Sequence, residues 1–360
     1  MKQVRLPLLT EGSRTLLLVG NWKWEVYEAA LAAGFRACGW DVIPFDTREY
    51  ASTGALGRAE AAMRVGPGID RLNRALLERA QVVRPDAIFL NRCDTVRVSS
   101  LRMMKTLIPE TVVLVYHNDN PFARASDAFK YRHYLASLRA ADVTLVYRPL
   151  DFGEAKRRGS RRIELLPPYY LSYLHRPEEK HLACEYRFDV VYAGHYEDDG
   201  RDRLIDAIAR TGARVHVCGA GWERIRRKYS WAKDMDLRPR FGQDYVATLT
   251  SARIGLGLMS GRNRDVYTRR CFEIPACGAL LMAPKTPELA DYFVENREAV
   301  FFESPDGLVA SVERLLTDEP ARKRIADAGY MRCTTAGNDE VARARHVTEV
   351  IESIAPRDIG

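Results

Sequence analysis

The sequence lacks the signatures of several common enzyme and targeting classes. It contains no G-x-S-x-G nucleophile elbow, no H-E-x-x-H pair and no aspartate-rich calcium loop, and this excludes the hydrolases and metal sites that these motifs mark. It has no run of eighteen apolar residues, and its N-terminal stretch MKQVRLPLLTEGSR has no apolar segment of a signal peptide. We therefore expect a chain that neither spans a membrane nor is exported by the signal-peptide route.

Cysteine is present, but not in the pairs that cross-link a fold or bind a metal. The seven cysteines stand at positions 38, 93, 184, 218, 271, 277 and 333, and no C-x-x-C pair occurs. An odd, scattered set argues against a disulfide framework and against a structural zinc site. We expect reduced thiols, a cytoplasmic location, and no protein-bound metal or cofactor.

The positive charge is unevenly distributed along the chain. The net charge is +7, and residues 1–175 carry 26 Lys+Arg against 18 Asp+Glu, whereas residues 176–360 carry 29 against 30. A basic half attracts an anionic partner, such as lipid headgroups at the inner face of a membrane, a phosphorylated acceptor or nucleic acid. Solvated arginine-rich helix faces are an equally simple explanation. Nucleic acid is disfavoured, because no recognition motif accompanies the charge.

Length and hydrophobic pattern together predict two parallel-sheet domains. A chain of 360 residues with 46% hydrophobic content is long enough for two cores of about 170 residues each. Apolar runs alternate with helix-like segments, which is typical of doubly wound α/β folds. We predict strands at 14–20, 40–46, 86–91, 111–117 and 142–147, and then at 188–194, 213–219, 252–259 and 278–284. The predicted boundaries are an N-terminal domain at 1–172, a linker at 173–186, a C-terminal domain at 187–345 and a C-terminal helix or tail at 346–360.

Two acids near the end of the second predicted domain are candidates for a ligand site. We predict a helix over 267–277 in DVYTRRCFEIPACG, with Asp265 just before its first turn and Glu273 two turns further on. Free N–H groups at a helix start bind phosphate, and a carboxylate can accept bonds from sugar hydroxyls. The alternative is that Asp265 only caps the helix and Glu273 is a surface acid. Spacing alone leaves both interpretations open.

A longer stretch around these acids carries a family resemblance. RRCFEIPACGALLMAPKTPELADYF followed by LLTDEPARKRIADAGYMR resembles the C-terminal signature of CgeB-like glycosyltransferases, in the family-four clan of retaining enzymes with the two-domain GT-B fold. The resemblance implies two Rossmann-like domains that face a cleft. It also implies that Glu273 holds the ribose of a nucleotide sugar and that Asp265 contacts the sugar.

The resemblance extends upstream and adds further candidate residues. FDVVYAGHYEDDGRDRLIDAI is similar to the first C-domain strand of that family, which places Gly194 and Arg201 beside the diphosphate. Arg270 would help to neutralise the diphosphate, with Arg269 less directly implicated. Tyr267 and Thr268 stand at the start of the predicted helix, where backbone N–H groups face the donor.

Two glycine-containing loops follow predicted strands. Gly219-x-Gly221 in CGAGWER is half of a dinucleotide fingerprint, but Arg224 stands where the third glycine belongs, and VGNWKWE after the first strand offers only Gly20. NAD binding is therefore disfavoured. We expect the loops at Gly20, Gly219 and Gly221 to approach a ligand through their backbones, because ligands bind at the carboxyl ends of such strands.

The first half of the chain contains further candidate site residues: a histidine, an acid and a cluster of aromatic residues. His117 ends a predicted strand in TVVLVYHNDN, and the resemblance implies that either His117 or Asp119 acts at the sugar; the choice between them stays open. Trp22, Trp24 and Tyr27 can stack on an acceptor sugar, although tryptophans at a strand–helix junction are more often part of the core.

The expected function is transfer of a sugar from a UDP- or GDP-linked donor to an acceptor hydroxyl. The resemblance implies a metal-independent hexosyltransferase that retains configuration and works in cell-surface glycan or glycoconjugate synthesis. The acceptor would be a saccharide, a lipid-linked saccharide or a protein. The alternatives are a sugar-nucleotide epimerase or hydrolase of the same fold, and a catalytically silent nucleotide-sugar-binding surface or assembly protein.

Overall fold

The computed structural model describes residues 14–122, 127–177 and 186–354. These residues form two compact units, each built on a parallel β-sheet with helices on its faces. The first unit runs to Pro167 and includes the chain again from Glu340, and the second is Pro168–Asp339. Residues 178–185, most of the predicted linker, lie outside the described residues.

The N-terminal unit contains a six-stranded sheet in the order β2-β1-β3-β4-β5-β6. Its strands are β1 (Arg14–Gly20), β2 (Trp40–Asp46), β3 (Ala87–Asn91), β4 (Val112–His117), β5 (Val143–Val146) and β6 (Ile163–Leu165). The central strands are almost entirely apolar and buried, because helices cover both faces of a parallel sheet.

Seven α-helices belong to the described part of this unit. They are α1 (Ala30–Ala37), α2 (Gly54–Met63), α3 (Pro67–Val83), α4 (Val98–Leu107), α5 (Arg132–Ser137), α6 (Asp151–Arg157) and the C-terminal α13 (Glu340–Glu352). A π-helical turn at Glu25–Ala29 precedes α1.

The C-terminal unit contains a five-stranded sheet in the order β11-β10-β9-β7-β8. Its strands are β7 (Phe188–Ala193), β8 (Val215–Cys218), β9 (Ala252–Leu256), β10 (Leu280–Pro284) and β11 (Val300–Phe302). The helices of its described part are α7 (Arg201–Ala209), α8 (Gly242–Thr250), α9 (Arg270–Ala276), α10 (Pro287–Ala290), α11 (Pro305–Thr317) and α12 (Glu319–Thr335).

Both sheets share one topological feature. In each, the second strand of the unit lies on one side of the first strand and the third strand lies on the other. The direction of winding therefore changes between β1 and β3 and again between β7 and β9. In open parallel sheets this switch point leaves a crevice at the carboxyl ends of the strands, where ligands bind. Each unit thus provides one such position.

The C-terminal helix belongs to the first unit. The indole Nε1 of Trp40 donates to Thr348 Oγ1 at 2.8 Å, and Val347 and Ile351 of α13 are buried. A Cβ on Gly34 would run into the backbone of Glu340, so α1 and α13 approach closely. The sequence placed residues 340–345 in the second domain, because nothing local reveals which core an apolar helix face joins.

The structure confirms the predicted strands at 14–20 and 40–46 with the same bounds and corrects the helix predicted over 267–277. That helix is α9, and it begins only at Arg270. Residues 267–269 lie before the helix, and Tyr267 is buried with its ring centroid 5.9 Å from that of Tyr292 in an edge-to-face arrangement. Glu273 therefore lies in the first turn of the helix rather than two turns along it.

No helix in residues 14–122, 127–177 and 186–354 is long and apolar enough to cross a membrane. Within the same ranges, no group of three His, Cys, Asp or Glu side chains is placed to hold a metal ion.

Candidate functional site

Two glycines bring the loops after β7 and β8 together at the switch point of the C-terminal unit. The Gly194 N–H donates to the Cys218 carbonyl at 2.8 Å, and Trp222 Nε1 donates to the Gly194 carbonyl at 2.7 Å. Gly219 has a φ of +150°, and a Cβ there would overlap the Gly194 carbonyl. The backbones pack at a distance that only glycine allows. Gly221, with a φ of +86°, then turns the chain into the helical turn at Trp222–Ile225.

Arg270, the first residue of α9, lies beside this glycine pair. Its Nη2 donates to the Leu258 carbonyl at 3.2 Å, and its guanidinium packs on the Tyr192 ring at 5.3 Å. A Cβ on Gly194 would lie 2.9 Å from Arg270 Nη1. In the described part of the chain no carboxylate pairs with this guanidinium, and its Nε is buried without a bond. A partly exposed arginine of this kind, at a switch point, is ready to bind an anion.

Arg201 differs from Arg270, because its guanidinium is already bonded to other groups of the protein. Asp199 accepts from Nε at 2.8 Å and from Nη2 at 2.6 Å, while Nη1 donates to the Tyr192 hydroxyl and the His195 carbonyl, both at 2.7 Å. Glu197 adds an ion pair at 3.2 Å. Arg201 thus holds the loop at 194–200 in shape, and contact with a diphosphate would require an exchange of partners. Its predicted role at the diphosphate stays a prediction.

Glu273 is a buried, ionised carboxylate held by two side chains. Tyr245 of α8 donates its hydroxyl to Oε2 at 2.7 Å, and Arg269 Nε donates to Oε1 at 3.0 Å. Burial alone would raise the pKa of Glu273, but Arg269, His175 and the Tyr245 hydrogen bond outweigh burial and lower it. The side chain is therefore not a surface acid. Each oxygen retains acceptor capacity for a further hydroxyl.

The neighbours of Glu273 include residues that the sequence did not single out. The Arg269 guanidinium lies 4.6 Å from the Tyr169 ring, and His175 meets the Tyr245 ring edge-on at 5.9 Å. Burial lowers the pKa of His175 to about 4, and its Nδ1 accepts from a backbone N–H at 2.9 Å. Both residues lie in ELLPPYYLSYLHRP, where Tyr169 falls in the predicted N-terminal domain and His175 in the predicted linker. The aromatic content of this stretch was the available signal that the segment packs against something.

Asp265 closes a short loop after β9. Its N–H donates to the Ser260 carbonyl at 3.0 Å, and its Oδ2 accepts from the Ser260 N–H at 3.4 Å. Ser260 in turn donates its hydroxyl to Glu197 at 2.7 Å. Thr268 is buried, with Oγ1 at 3.9 Å from Cys271 Sγ. Asp265 and Thr268 thus stabilise the approach to α9, and Asp265 does not form a cap directly before the first turn.

In the N-terminal unit the structure brings His117 and Asp119 into one cluster. His117 Nδ1 accepts from the Asp119 N–H at 3.2 Å, and His117 Nε2 lies 3.2 Å from Asp94 Oδ1. This arrangement places the imidazole proton on Nε2. The Tyr131 and Tyr134 rings meet the imidazole edge-on at 5.0 and 5.4 Å. His117 is thereby fixed in orientation at the carboxyl end of β4.

Asp94 was not recognised in the sequence, yet its carboxylate lies beside the His117 imidazole. Burial opposes ionisation of its carboxyl, but His117, Arg64 and Lys130 lower the pKa of Asp94 below its usual value. Arg64 lies 3.6 Å from Asp94. The signal that could have found it is position, because Asp94 closely follows the β3 strand and so shares an edge with His117.

Gly20 ends β1 and leaves room for a buried acid. A Cβ on Gly20 would overlap the Glu28 carboxylate, and Glu28 is 0% exposed. Burial raises the pKa of Glu28, although bonds from the backbone and the charge of Arg92 oppose the rise. The space beside Gly20 is thus occupied by Glu28, and the predicted approach of the Gly20 backbone to a ligand stays a prediction. Gly20 makes a close approach between β1 and the following helical turn possible.

A cavity of about 590 Å³ opens at the opposite edge of the C-terminal sheet, where β7 and β9 begin. Arg187, His216, Trp231, Asp236 and Arg240 are among its lining residues. Among the lining residues in the described part of the chain, none is a predicted site residue. The cavity is thus separate from the switch-point site.

The comparison with protein families concerns the segment that carries this site. Residues 201–349 match a family model described as glycosyl transferase-like. This segment of the chain is similar to that family. The matched segment includes six of the predicted site residues discussed above, namely Arg201, Gly219, Gly221, Asp265, Arg270 and Glu273. Gly194 lies just before it. No curated protein matches the sequence.

Solved structures match nearly the whole chain. A glycosyltransferase from Rickettsia africae ESF-5 has a TM-score of 0.68 at 12% identity and covers 96% of this chain and 100% of its own. Sucrose-phosphate synthase from Thermosynechococcus elongatus has a TM-score of 0.67 at 14% identity, covering 95% and 99%. Anabaena HepE in complex with UDP-glucose has 0.62 at 13%, covering 94% and 99%. The chain has the GT-B fold. At these identities the likeness extends to fold alone, and the predicted GT-B fold class is confirmed.

Proposed function

We propose that this GT-B protein transfers a sugar from a nucleoside diphosphate sugar, UDP- or GDP-linked, to an acceptor hydroxyl. The observation that carries the proposal is Arg270, a guanidinium without a carboxylate partner in the described residues, set beside the Gly194 backbone at a switch point. The glycosyl transferase-like match over residues 201–349 supports the same conclusion. So does the likeness in fold to a protein whose structure contains UDP-glucose.

Arg270 would bind the diphosphate of the donor. Negative charge builds on the leaving diphosphate as the glycosidic bond breaks, and a fixed guanidinium stabilises that charge more in the transition state than in the ground state. The glycine backbones at 194 and 219 allow a phosphate to approach without meeting a Cβ. Arg201 keeps the 194–200 loop in the shape that this approach requires.

Glu273 would accept bonds from the ribose hydroxyls. Its lowered pKa keeps the carboxylate ionised at neutral pH, and an ionised acceptor binds hydroxyl donors more strongly than a neutral one. Tyr245 and Arg269 fix the direction of its oxygens. Asp265 and either His117 or Asp119 remain the candidates for contact with the transferred sugar.

We propose transfer with retention of configuration and without a bound metal. In such a mechanism a leaving phosphate oxygen takes the proton of the attacking hydroxyl, so the site needs no strong base of its own. The acceptor would be a saccharide, a lipid-linked saccharide or a protein in cell-surface glycan synthesis, with a hexose as the transferred sugar. The basic N-terminal half supports an anionic acceptor or a peripheral position at the inner membrane face.

Calorimetric titration of UDP and GDP tests the donor site. Replacing Arg270 by Gln should weaken binding of the preferred nucleotide by about 10- to 100-fold, since a hydrogen bond to a charged group is worth about 1.5–3 kcal/mol. The matched control is Arg227→Gln, an exposed arginine without a bond in the described residues, which should bind as the unchanged protein does. If neither UDP nor GDP binds, or if Arg270→Gln binds equally well, the proposal fails.

The reaction itself is tested with UDP- and GDP-sugars and an added saccharide acceptor. A new glycoside should form, and its anomeric configuration should equal that of the donor. Formation of an isomerised nucleotide sugar in place of a glycoside would instead identify an epimerase, and free sugar alone would identify a hydrolase.

A further inference from the structure

The cavity at the amino end of the C-terminal sheet is not used by any step of the proposed transfer. Its volume of about 590 Å³ lies within the range of about 300–1,000 Å³ that is usual for small-molecule sites. Its walls come from the start of β7, from β8, from the helical turn at Ser230–Ala232 and from α8. The six residues of β7 span about 20 Å, and this length separates the cavity from the glycine pair at the carboxyl end of the sheet.

An aromatic stack lines one side of the cavity. The Phe188 ring lies parallel to the His216 imidazole, with centroids 4.4 Å apart and an angle of 10° between the planes. His216 is only 7% exposed, yet neither of its ring nitrogens has a hydrogen bond in the described part of the chain. Burial, followed by the charge of Arg240, lowers its pKa to about 4. At neutral pH the imidazole is therefore uncharged, and it offers one donor and one acceptor to the cavity.

Trp231 supplies a second aromatic surface. Its ring stacks on Tyr229, with centroids 5.5 Å apart and an angle of 19° between the planes, and its Nε1 donates to Asp206 Oδ1 at 3.1 Å. The indole is thus fixed in orientation, while part of it stays exposed in the cavity wall. A rigid, partly exposed aromatic ring provides apolar contact to a ligand at a small cost in conformational entropy.

Charged groups of both signs surround these rings. Asp236 is paired with Arg240, whose Nη2 lies 2.5 Å from Oδ2. Exposed side chains without an ion pair in the described part of the chain are Asp234, Asp244 and Arg187. The described lining residues therefore include two cations and three carboxylates. A phosphate or another anion would be repelled by this excess of negative charge.

These features together indicate the chemistry of a ligand. The hydroxyl groups of a neutral saccharide donate to carboxylates and accept from guanidinium and imidazole N–H groups, while its apolar C–H groups pack on aromatic rings. A metal ion is disfavoured, because the described ranges contain no group of three His, Cys, Asp or Glu side chains that could hold one. A purely apolar ligand would cover the His216 nitrogens without bonding them, which is costly. Of these ligand classes, a saccharide uses both the rings and the free polar groups.

We propose that this cavity is an accessory binding site for a neutral saccharide. The rings of Phe188 and Trp231 contact the sugar, and its hydroxyls bond to Arg187, His216 and Asp244. The site lies at the opposite end of the sheet from the proposed diphosphate site, so the saccharide bound here is not the one that reacts. The inference goes beyond the proposed function and does not depend on it, because no residue of the donor site takes part.

Fluorine NMR of the whole chain labelled with 5-fluorotryptophan tests the site directly. The chain contains five tryptophans, and Trp231→Phe identifies the Trp231 resonance by its loss. The probes are methyl glycosides of glucose, galactose, mannose and N-acetylglucosamine, together with maltose, cellobiose and lactose. At least one should shift the Trp231 resonance with a saturable dependence on concentration, and the shift should persist with saturating UDP or GDP. Inorganic phosphate should not produce it.

Two variants test the polar contacts. His216→Phe keeps the stack on Phe188 but removes both ring nitrogens, and we expect it to weaken saccharide binding about 3- to 10-fold. Asp244→Ala removes an exposed carboxylate from the first turn of α8 and should weaken binding about tenfold or more, because hydrogen bonds to charged groups are stronger. The matched control is Asp306→Ala, which removes an exposed acid from the first turn of α11 and should bind the saccharide as the unchanged protein does.

The possible outcomes separate this inference from the proposed function. The inference is overturned if no saccharide shifts the Trp231 resonance, if only other tryptophan resonances shift, if phosphate produces the same shift, or if both variants bind the saccharide as the unchanged protein does. Should His216→Phe fail to fold, Asp244→Ala at the exposed rim still tests the site. A Trp231 response in a protein that binds neither UDP nor GDP would support the accessory site and overturn the proposed function.

Discussion

Tyr245 donates its hydroxyl to Oε2 of Glu273 at 2.7 Å and so joins α8 to the first turn of α9. Both side chains belong to the C-terminal unit, and the carboxylate is buried and ionised. The bond therefore does two things at once. It offsets the cost of burying a charge, and it fixes the oxygen that the proposed ribose contact uses.

Replacing Tyr245 by Phe should lower the free energy of unfolding by about 1–3 kcal/mol, because the buried Glu273 carboxylate loses a donor. Urea titration at neutral pH measures the change. Tyr330→Phe is the control, since the Tyr330 hydroxyl has no bond in the described residues, and its stability should change little. Equal stability of Tyr245→Phe and the unchanged protein would show that the hydrogen bond does not matter to the fold.

Gly219 and Gly212 allow a comparison of steric overlap with backbone strain alone. Both have positive φ, +150° and +87°, but a Cβ on Gly219 would overlap the Gly194 carbonyl whereas nothing lies within 4 Å of one on Gly212. Gly212→Ala should cost about 1 kcal/mol of stability. Gly219→Ala should cost more and should also weaken nucleotide binding by pushing apart the loops after β7 and β8. Thermal unfolding and UDP titration measure both effects, and equal results for the two variants would contradict the close packing.

Arg201→Lys tests whether the guanidinium organises the 194–200 loop. Lysine keeps the charge but cannot bond both Asp199 oxygens, the Tyr192 hydroxyl and the His195 carbonyl together. We expect the free energy of unfolding to fall by about 1.5–3 kcal/mol, because hydrogen bonds to charged groups are lost while the charge is kept. Hydrogen exchange of the loop amides should increase as well. The control is Arg203→Lys, a substitution of an exposed arginine. If hydrogen exchange of the loop amides is unchanged in Arg201→Lys, Arg201 does not organise the loop.

The stability of the protein should fall between about pH 6.5 and pH 4. Burial, followed by the charge of Arg240, lowers the pKa of His216 to about 4, whereas in the unfolded chain it is close to 6.5. Below pH 6.5 the unfolded chain binds a proton that the folded chain excludes, so protonation favours unfolding. Above pH 6.5 this effect is absent. A pKa lowered by this amount reduces the free energy of unfolding by about 3 kcal/mol at pH 4.

His216→Phe removes that titration and can still stack on Phe188, which lies 4.4 Å from the imidazole centroid. Urea midpoints measured from pH 4 to pH 8 should therefore fall less steeply in this variant. His346→Gln on α13 is the control and should leave the pH profile unchanged. If the urea midpoints of His216→Phe follow the same pH dependence as those of the unchanged protein, His216 does not contribute to the loss of stability at acidic pH.

The sequence was sufficient for those features that depend on neighbours along the chain. Apolar runs such as TLLLVG and DVVYAG place β1 and β7, because a strand buried on both faces must be apolar throughout. The alternation of these runs with helices implies two domains with parallel sheets, and the resemblance of the C-terminal stretches to a glycosyltransferase family implies the GT-B fold class. The same alternation implies that residues after strands, such as Gly194 and His117, lie at the ligand-binding edge.

Only the tertiary structure decided which partners these residues have. The residue before α9 that enters the core, Tyr267, packs on Tyr292, 25 positions away, and no local pattern encodes such a contact. Arg201 and Arg270 are indistinguishable in the sequence, yet one is saturated by Asp199 and Tyr192 and the other pairs with no carboxylate in the described part of the chain.

The same holds for the buried acids. Glu28 and Glu273 both stand on helical segments, and both are buried, which the sequence around them does not reveal. Burial, ion pairing and pKa depend on which groups approach within a few ångströms in space. The pattern of hydrophobic residues fixes where strands and helices form, whereas the contacts between them determine which charges stay free to bind a substrate.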